Sequence, residues 1–262
     1  MNLELVDKTA LISGSTKGIG FAVASLLAAE GARVIVNGRS DNAVNSALKQ
    51  IRKTVPEAKV DGFAGDLATT TATEALLKLF PTMDILVNNL GIYEPKPFDQ
   101  ISDEEWRRIF EVNVLSGVRL SRAYVSGMKE RNWGRIVFIS SESAISTPKE
   151  MIHYGMTKTA QLAVSRGLAE YCGGTGVTVN SILPGPTHSA GFEDFVAPFL
   201  GGHSIEDFEK EFFRSVRPGS LIKRFETPDE IARLVTFVCS PVASGIAGAA
   251  LRVEGGVVCS CF

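Results

Sequence analysis

A chain of 262 residues, 45% hydrophobic and 21% charged, has the composition of a globular protein able to bury a sizeable core in one domain or two. Its net charge of −2 gives no electrostatic basis for nucleic acid or an anionic membrane as partner, and no run of about 18 apolar residues is available to span a bilayer. The four cysteines, Cys172, Cys239, Cys259 and Cys261, form no C-x-x-C pair, and Cys259 and Cys261 have no histidine nearby. Free thiols in a reducing cytoplasm are therefore expected, with no metal site. The opening MNLELVDK has no apolar core of a signal peptide.

The first predicted element is a buried strand at 10–12. A glycine-rich turn follows, Gly14-Ser15-Thr16-Lys17-Gly18-Ile19-Gly20, and then an Ala- and Leu-rich helix over 21–30 ending at Gly31. Strand, glycine turn and helix N-terminus make a phosphate cradle: free N–H groups point outward and glycines let a pyrophosphate approach. The spacing is G-x-x-x-G-x-G, and alone it also fits a plain tight connection. Further strands are predicted at 33–36, 60–64, 84–87, 135–139, 177–183 and 250–253. Helices are predicted at 41–55, 71–80, 151–171 and 228–239. Ser102 and Glu105 form a capping box opening one long helix to Arg131. Residues 187–224 read as irregular and phenylalanine-rich.

This alternation predicts an α/β fold of about seven strands. The sheet is a Rossmann-like, doubly wound parallel one with helices on both faces, in one domain over 1–262. Ligands in such sheets sit beyond the carboxyl ends of the strands, where Gly14, Arg39, Asp66, Asn88, Ser141 and Pro184 fall. Residues 187–224 are too long for an ordinary connection and suggest a lid. Its Phe192, Phe195, Phe199, Phe208, Phe212 and Phe213 favour an apolar or ring-bearing substrate, or else form the core of lid helices or an oligomer contact.

Tyr154 and Lys158 stand one helical turn apart on the same face. An ammonium beside a phenol favours the phenolate and lowers its pKa, which makes Tyr154 a candidate general acid or base. Ser141 ends the preceding strand and can reach the same crevice. Met151, His153 and Tyr93 are further candidates to face a substrate, but His153 adjoins Tyr154 on a different helix face and is not assigned a catalytic role.

Gly14-x-x-x-Gly18-Ile19-Gly20, Asn88-Asn89-x-Gly91, Asn113, Ser141, Tyr154-x-x-x-Lys158 and Pro184-Gly185 stand in order over nearly the whole chain. Together they resemble the short-chain dehydrogenase/reductase family, in its short single-domain branch. The resemblance implies an enzyme that interconverts a carbonyl and a secondary alcohol by hydride transfer with a nicotinamide dinucleotide. Tyr154 would exchange the proton, Ser141 would hold the substrate oxygen, and Lys158 would bind the ribose hydroxyls and depress the Tyr154 pKa. Asn113 would hold a water linking Lys158 to solvent. Asp66 and Leu67 would line the adenine, Asn89 and Gly91 the adenosine ribose, and residues 184–187, with Pro184, Gly185 and Thr187, the nicotinamide carboxamide. Family members commonly form tetramers, so a homotetramer or homodimer is implied. Leu90 replaces the usual Ala, and Ser13 the usual Thr.

Cofactor choice follows from charge. An acid at the end of the second strand would bind a ribose 2′-hydroxyl and repel a 2′-phosphate. That position is Gly38, followed by Arg39, with Lys17 in the glycine turn. Two cations and no acid favour NADP(H) over NAD(H), unless both are solvated surface charges. The expected enzyme is an NADP(H)-dependent oxidoreductase. A 3-oxoacyl thioester reductase, a dehydratase or epimerase without net redox, and a non-catalytic dinucleotide sensor or scaffold are the alternatives.

Overall fold

The computed structural model describes residues 2–188 and 204–261. Its strands are β1 (Thr9–Ile12), β2 (Arg33–Gly38), β3 (Val60–Ala64), β4 (Ile85–Asn88), β5 (Gly134–Ile139), β6 (Val177–Pro184) and β7 (Ala250–Val253). They form one parallel sheet in the order β3-β2-β1-β4-β5-β6-β7. Such a sheet is covered on both faces, so its strands are apolar runs rather than alternating ones. On one face Ala10, Ile12, Val34, Val36 and Val137 pack against α1 (Gly18–Ala29), α2 (Asp41–Thr54) and α8 (Pro228–Val238). On the other, Leu11, Ile35, Leu86, Ile136 and Phe138 pack against α3 (Thr70–Leu79), α5 (Ser116–Glu130) and α6 (Ile152–Tyr171).

Helix starts follow their caps. Ser102 Oγ accepts from Glu105 N while Glu105 Oε2 accepts from Ser102 N, and Thr227 with Glu230 repeats the arrangement at α8.

The long helix expected from Ser102 toward Arg131 is continuous but not α-helical throughout: α4 (Asp103–Phe110) runs through a π turn at Glu111–Leu115 into α5. The Ser116 N–H bonds the Glu111 carbonyl, an i→i+5 link that admits one extra residue. The region after Thr187 is not wholly irregular either. Ser204 caps α7 (Ile205–Glu211), which ends in a second π turn, Phe212–Val216. Phe208, Phe212 and Phe213 pack with Phe225 into a small core of their own, which is the helix-core reading of these phenylalanines. Phe192, Phe195 and Phe199 lie outside the described residues.

β1 lies inside the sheet between β2 and β4, so its turn has a neighbour on each side. On the β2 side stands Asn37, 1% exposed. Its Oδ1 accepts from Gly14 N at 3.0 Å, and its Nδ2 donates to the Phe63 and Gly65 carbonyls at 3.1 and 3.0 Å. One side chain thus ties the glycine turn to the end of β3. Asn37→Ala leaves three buried backbone groups without this partner, at about 1–3 kcal/mol for each that water does not reach. Urea denaturation is expected to show a loss of about 3 kcal/mol in unfolding free energy.

Candidate active site

The β1–α1 turn starts with Gly14 in the left-handed region (φ 62°), as is Gly18 (φ 60°). A Cβ at Gly20 would lie 2.5 Å from Asn89 Nδ2 and 2.7 Å from the Gly14 carbonyl, so the helix can sit this close to the turn only with glycine there. Asn89 closes the turn from the β4 side, donating from Nδ2 to the Ser13 and Gly14 carbonyls at 2.9 and 3.0 Å. Ser13 Oγ accepts from Asn89 N and Leu90 N, so the serine keeps the work of the expected threonine hydroxyl. Leu90 leans toward Gly14: a Cβ on that glycine would meet Leu90 Cδ2 at 3.1 Å. The N-cap of α1, Lys17, gives its helix no side-chain bond, and the first helical N–H groups face outward as an anion site requires. These features fit a dinucleotide pyrophosphate.

From this turn a cavity of about 230 Å³ runs along the strand ends, lined by Ile19, Asn89, Gly91, Ser141, Tyr154 and Lys158, with Pro184, Gly185 and Thr187 at its far end. Nine of the residues expected from the sequence therefore meet in one place. Tyr93 joins them and stands edge-on to Tyr154 at 6.1 Å. His153 does not: it is buried against Trp106, at 5.8 Å between rings, and burial lowers its pKa. Lys17, Arg39 and Asp66 are exposed and outside the cavity. Leu67 needs correction. Its side chain is fully buried in the core, so only its backbone is available to an adenine.

Ser141 Oγ donates to the Glu142 carboxylate and accepts from Ser143 N at 3.1 Å. Glu142 is itself buried and lies 3.6 Å from Arg217, which also faces Glu150 at 3.6 Å. This places a negative charge beside the catalytic group, and the sequence reading did not include it. Tyr154 departs from expectation. Burial and then the Glu142 charge raise its pKa, opposed by a hydrogen bond with Ser141. Lys158, 4% exposed, is pushed down to about 7 by burial, partly offset by Glu142. Burial thus opposes the charged form of both groups and outweighs the lowering of the Tyr154 pKa expected from a neighbouring ammonium.

Lys158 Nζ donates to the Ile139 carbonyl at 2.9 Å and to Gln161 Oε1 at 3.4 Å. Asn113 sits in the π turn. Its Oδ1 accepts from Ile92 N at 2.8 Å, and its Nδ2 donates to the Ile92 carbonyl and to Thr157 Oγ1 at 2.9 and 3.0 Å. Gln161, which accepts from Lys158, donates from Nε2 to the Asn113 carbonyl at 2.5 Å, so a side-chain bridge joins the two residues.

A family model described as short chain dehydrogenase matches residues 8–197. The chain belongs to the short-chain dehydrogenase/reductase family. It is an NAD(P)-dependent oxidoreductase of that family. It is 48% identical over 264 residues to the oxidoreductase YvaG of Bacillus subtilis, covering all of both chains. It is 30% identical over 261 residues to the 3-oxoacyl-[acyl-carrier-protein] reductase FabG of Aquifex aeolicus, covering 98% of this chain and 100% of that one. Among solved structures, L-sorbose reductase of Gluconobacter frateurii, complexed with NADPH and L-sorbose, superposes with a TM-score of 0.91 at 30% identity, over 99% of this chain and 100% of the other.

The far end of the short-chain dehydrogenase cavity carries a second buried acid. Glu226 Oε2 accepts from Gly185 N at 3.0 Å, and burial raises its pKa to about 7. Because the folded pKa lies above the ordinary value, the protonated acid favours the fold below about pH 4.5, and that contribution is lost as pH rises toward 7. Glu226→Gln keeps an acceptor for Gly185 without the charge. Its melting temperature is expected to exceed wild type at pH 8 and to match it at pH 4, read by thermal unfolding at both.

Proposed function

We propose that this chain is an NADP(H)-dependent reductase interconverting a small ketone and its secondary alcohol. The observation that carries the reading is the convergence of Ser141, Tyr154 and Lys158 in one cavity that begins at the glycine turn. A bound nicotinamide supplies or accepts the hydride. The chain's residues do the rest. Tyr154 Oη passes its proton to the substrate oxygen as the hydride arrives at carbon, and Ser141 holds that oxygen. Lys158 keeps for the ribose hydroxyls the donors not used on Ile139 and Gln161.

The cofactor preference rests on charge and space. Gly38 leaves no acid at the end of β2, and a Cβ there would come within 2.4 Å of Thr16 Cγ2. Arg39 and Lys17 are exposed on either side of that point, and neither makes a salt bridge among the described residues. Both suit a 2′-phosphate. Among the described residues, the phenylalanines of the region after Thr187 do not line the cavity, so they give no ground for a ring-bearing substrate. The cavity is lined instead by hydroxyl-bearing residues, Tyr93, Ser141 and Thr187, together with Ile19, Ile139 and Pro184, and L-sorbose reductase is among the similar structures, which supports a ketone carrying hydroxyl groups; a 3-oxoacyl thioester is the second reading, supported by the FabG relative. A panel of hydroxyketones, plain cyclic ketones and 3-oxoacyl thioesters, followed by NADPH absorbance, separates them. Association of copies through α4–α5 and α6 as a homotetramer or homodimer in the cytoplasm rests on the family resemblance.

Tyr154→Phe is expected to lower turnover by at least about a hundredfold while NADPH binding, followed by fluorescence, is retained. Arg39→Ala should weaken NADPH by roughly tenfold to a hundredfold and leave NADH nearly unchanged, at about 1.4 kcal/mol per tenfold. The kcat/KM ratio of the two cofactors reads this directly. Gly38→Asp is a poorer test than charge alone suggests, because Thr16 must move to admit it.

A further inference from the structure

We propose that Gln161 is a positioning residue for the proton-handling pair: its side-chain amide locks the Lys158 ammonium to the Asn113 carbonyl of the π turn. The proposal rests on Lys158 being part of the active site.

The geometry leaves one arrangement of the amide. The Asn113 carbonyl only accepts, so the atom facing it at 2.5 Å must be the Gln161 amide nitrogen. The amide oxygen is then directed at Lys158 Nζ, at 3.4 Å. Both ends of the amide are paired, and Gln161 is 2% exposed. A polar side chain this deep is stable only when fully bonded, and that makes it rigid. The π turn explains why the bond exists. An i→i+5 step disturbs the ladder of i→i+4 bonds, and the Asn113 carbonyl within it accepts from another helix, α6.

The chemistry of the link matters as much as its geometry. An amide accepts and donates hydrogen bonds, but at neutral pH it does not give up a proton and take another. Gln161 therefore anchors Lys158 without relaying protons between it and Asn113. It is also a neutral acceptor in a site where burial already brings the Lys158 pKa down to about 7. The charged and titratable groups facing Lys158 are Tyr154 on its own helix and Glu142 from the segment after β5. Gln161 adds a dipole to this set and no charge, so Lys158 stays poised near neutrality.

The test is a direct titration of Lys158 in the cofactor-free protein. Lysines labelled biosynthetically with 13C and 15N, their side-chain nitrogens unmodified, are followed by NMR, and Lys158 is assigned by its loss in Lys158→Arg. Gln161→Glu puts a carboxylate where the amide oxygen stood, and the Lys158 pKa should rise by roughly one to three units. Gln161→Leu removes the acceptor from a buried ammonium, and the pKa should fall below its wild-type value. The alkaline limb of the kcat profile should move in the same two directions. If Lys158 titrates alike in wild type and both variants while they stay folded, Gln161 is a packing residue and the proposal is wrong. Gln161→Met, close in volume, replaces the Leu variant if that one does not fold, with the same fall expected. Because the NMR titration needs neither cofactor nor substrate, its failure is distinct from absence of ketone reduction, which would count against the proposed function instead.

Discussion

The site depends on a glycine turn whose shape is held mostly from outside it, with Ser13 and Ser15 as its own side-chain anchors. Gly14 and Gly18 are in the left-handed region, and Gly20 lies too close to Asn89 and the Gly14 carbonyl to carry a Cβ. Such a segment has many conformations open to it in the unfolded chain and few local contacts to choose among them. The choice is made by the strands on either side. Asn37 reaches in from β2 and Asn89 from just beyond β4, and between them they bind both the N–H and the carbonyl of Gly14. Because β1 lies where the strand order reverses direction, it is flanked by strands whose connections leave on opposite sides, and a crevice opens there.

The second half of the site is built on the same logic with different parts. Tyr154 and Lys158 come from one helix, so their spacing is fixed by local geometry. Their protonation is not local. It depends on Glu142 from the segment after β5 and on burial by the strand ends. Burial works in opposite senses on the two: it disfavours a charged phenolate and disfavours a charged ammonium. The result in the cofactor-free protein is a pair held near neutrality, with Glu142 as the fixed charge beside it.

The fold, and the meeting of Ser141, Tyr154 and Lys158 in one cavity, were legible in the sequence because they rest on short-range rules and ordered motifs. Apolar runs between glycine and proline stops gave all seven strands to within a residue or two, and Tyr154 with Lys158 needed only the helical repeat. What stayed hidden depends on long-range contact. In the run from 103 to 130 a helix-interior asparagine, Asn113, hints at a local kink, but the π turn itself stays hidden because its cause includes the bonding of Asn113 to Ile92, Thr157 and Gln161 across the fold. Leu67 was named beside Asp66 only through the family resemblance, which does not say that its side chain is buried while Asp66 stays exposed. Gln161 and Glu142 carried no signal, since one reads as an ordinary helix residue and the other as an ordinary surface acid. Phe208, Phe212 and Phe213 showed the limit of composition: aromatic residues announce burial but not what they are buried against.

The π turn at Glu111–Leu115 also changes the phase of the helix that contains it. Each α-helical residue advances about 100° around the axis, so one extra residue turns everything beyond it by that angle. Before the turn, the rod lies beside α6; after it, Leu120, Tyr124 and Met128 face the sheet and are buried there. A single rod can thus present one stripe to a neighbouring helix and a differently oriented stripe to the strands. In this sense the fold uses an inserted residue as a gear: the helix runs on, changes its facing, and leaves at the point of change a carbonyl that bonds outside its own helix.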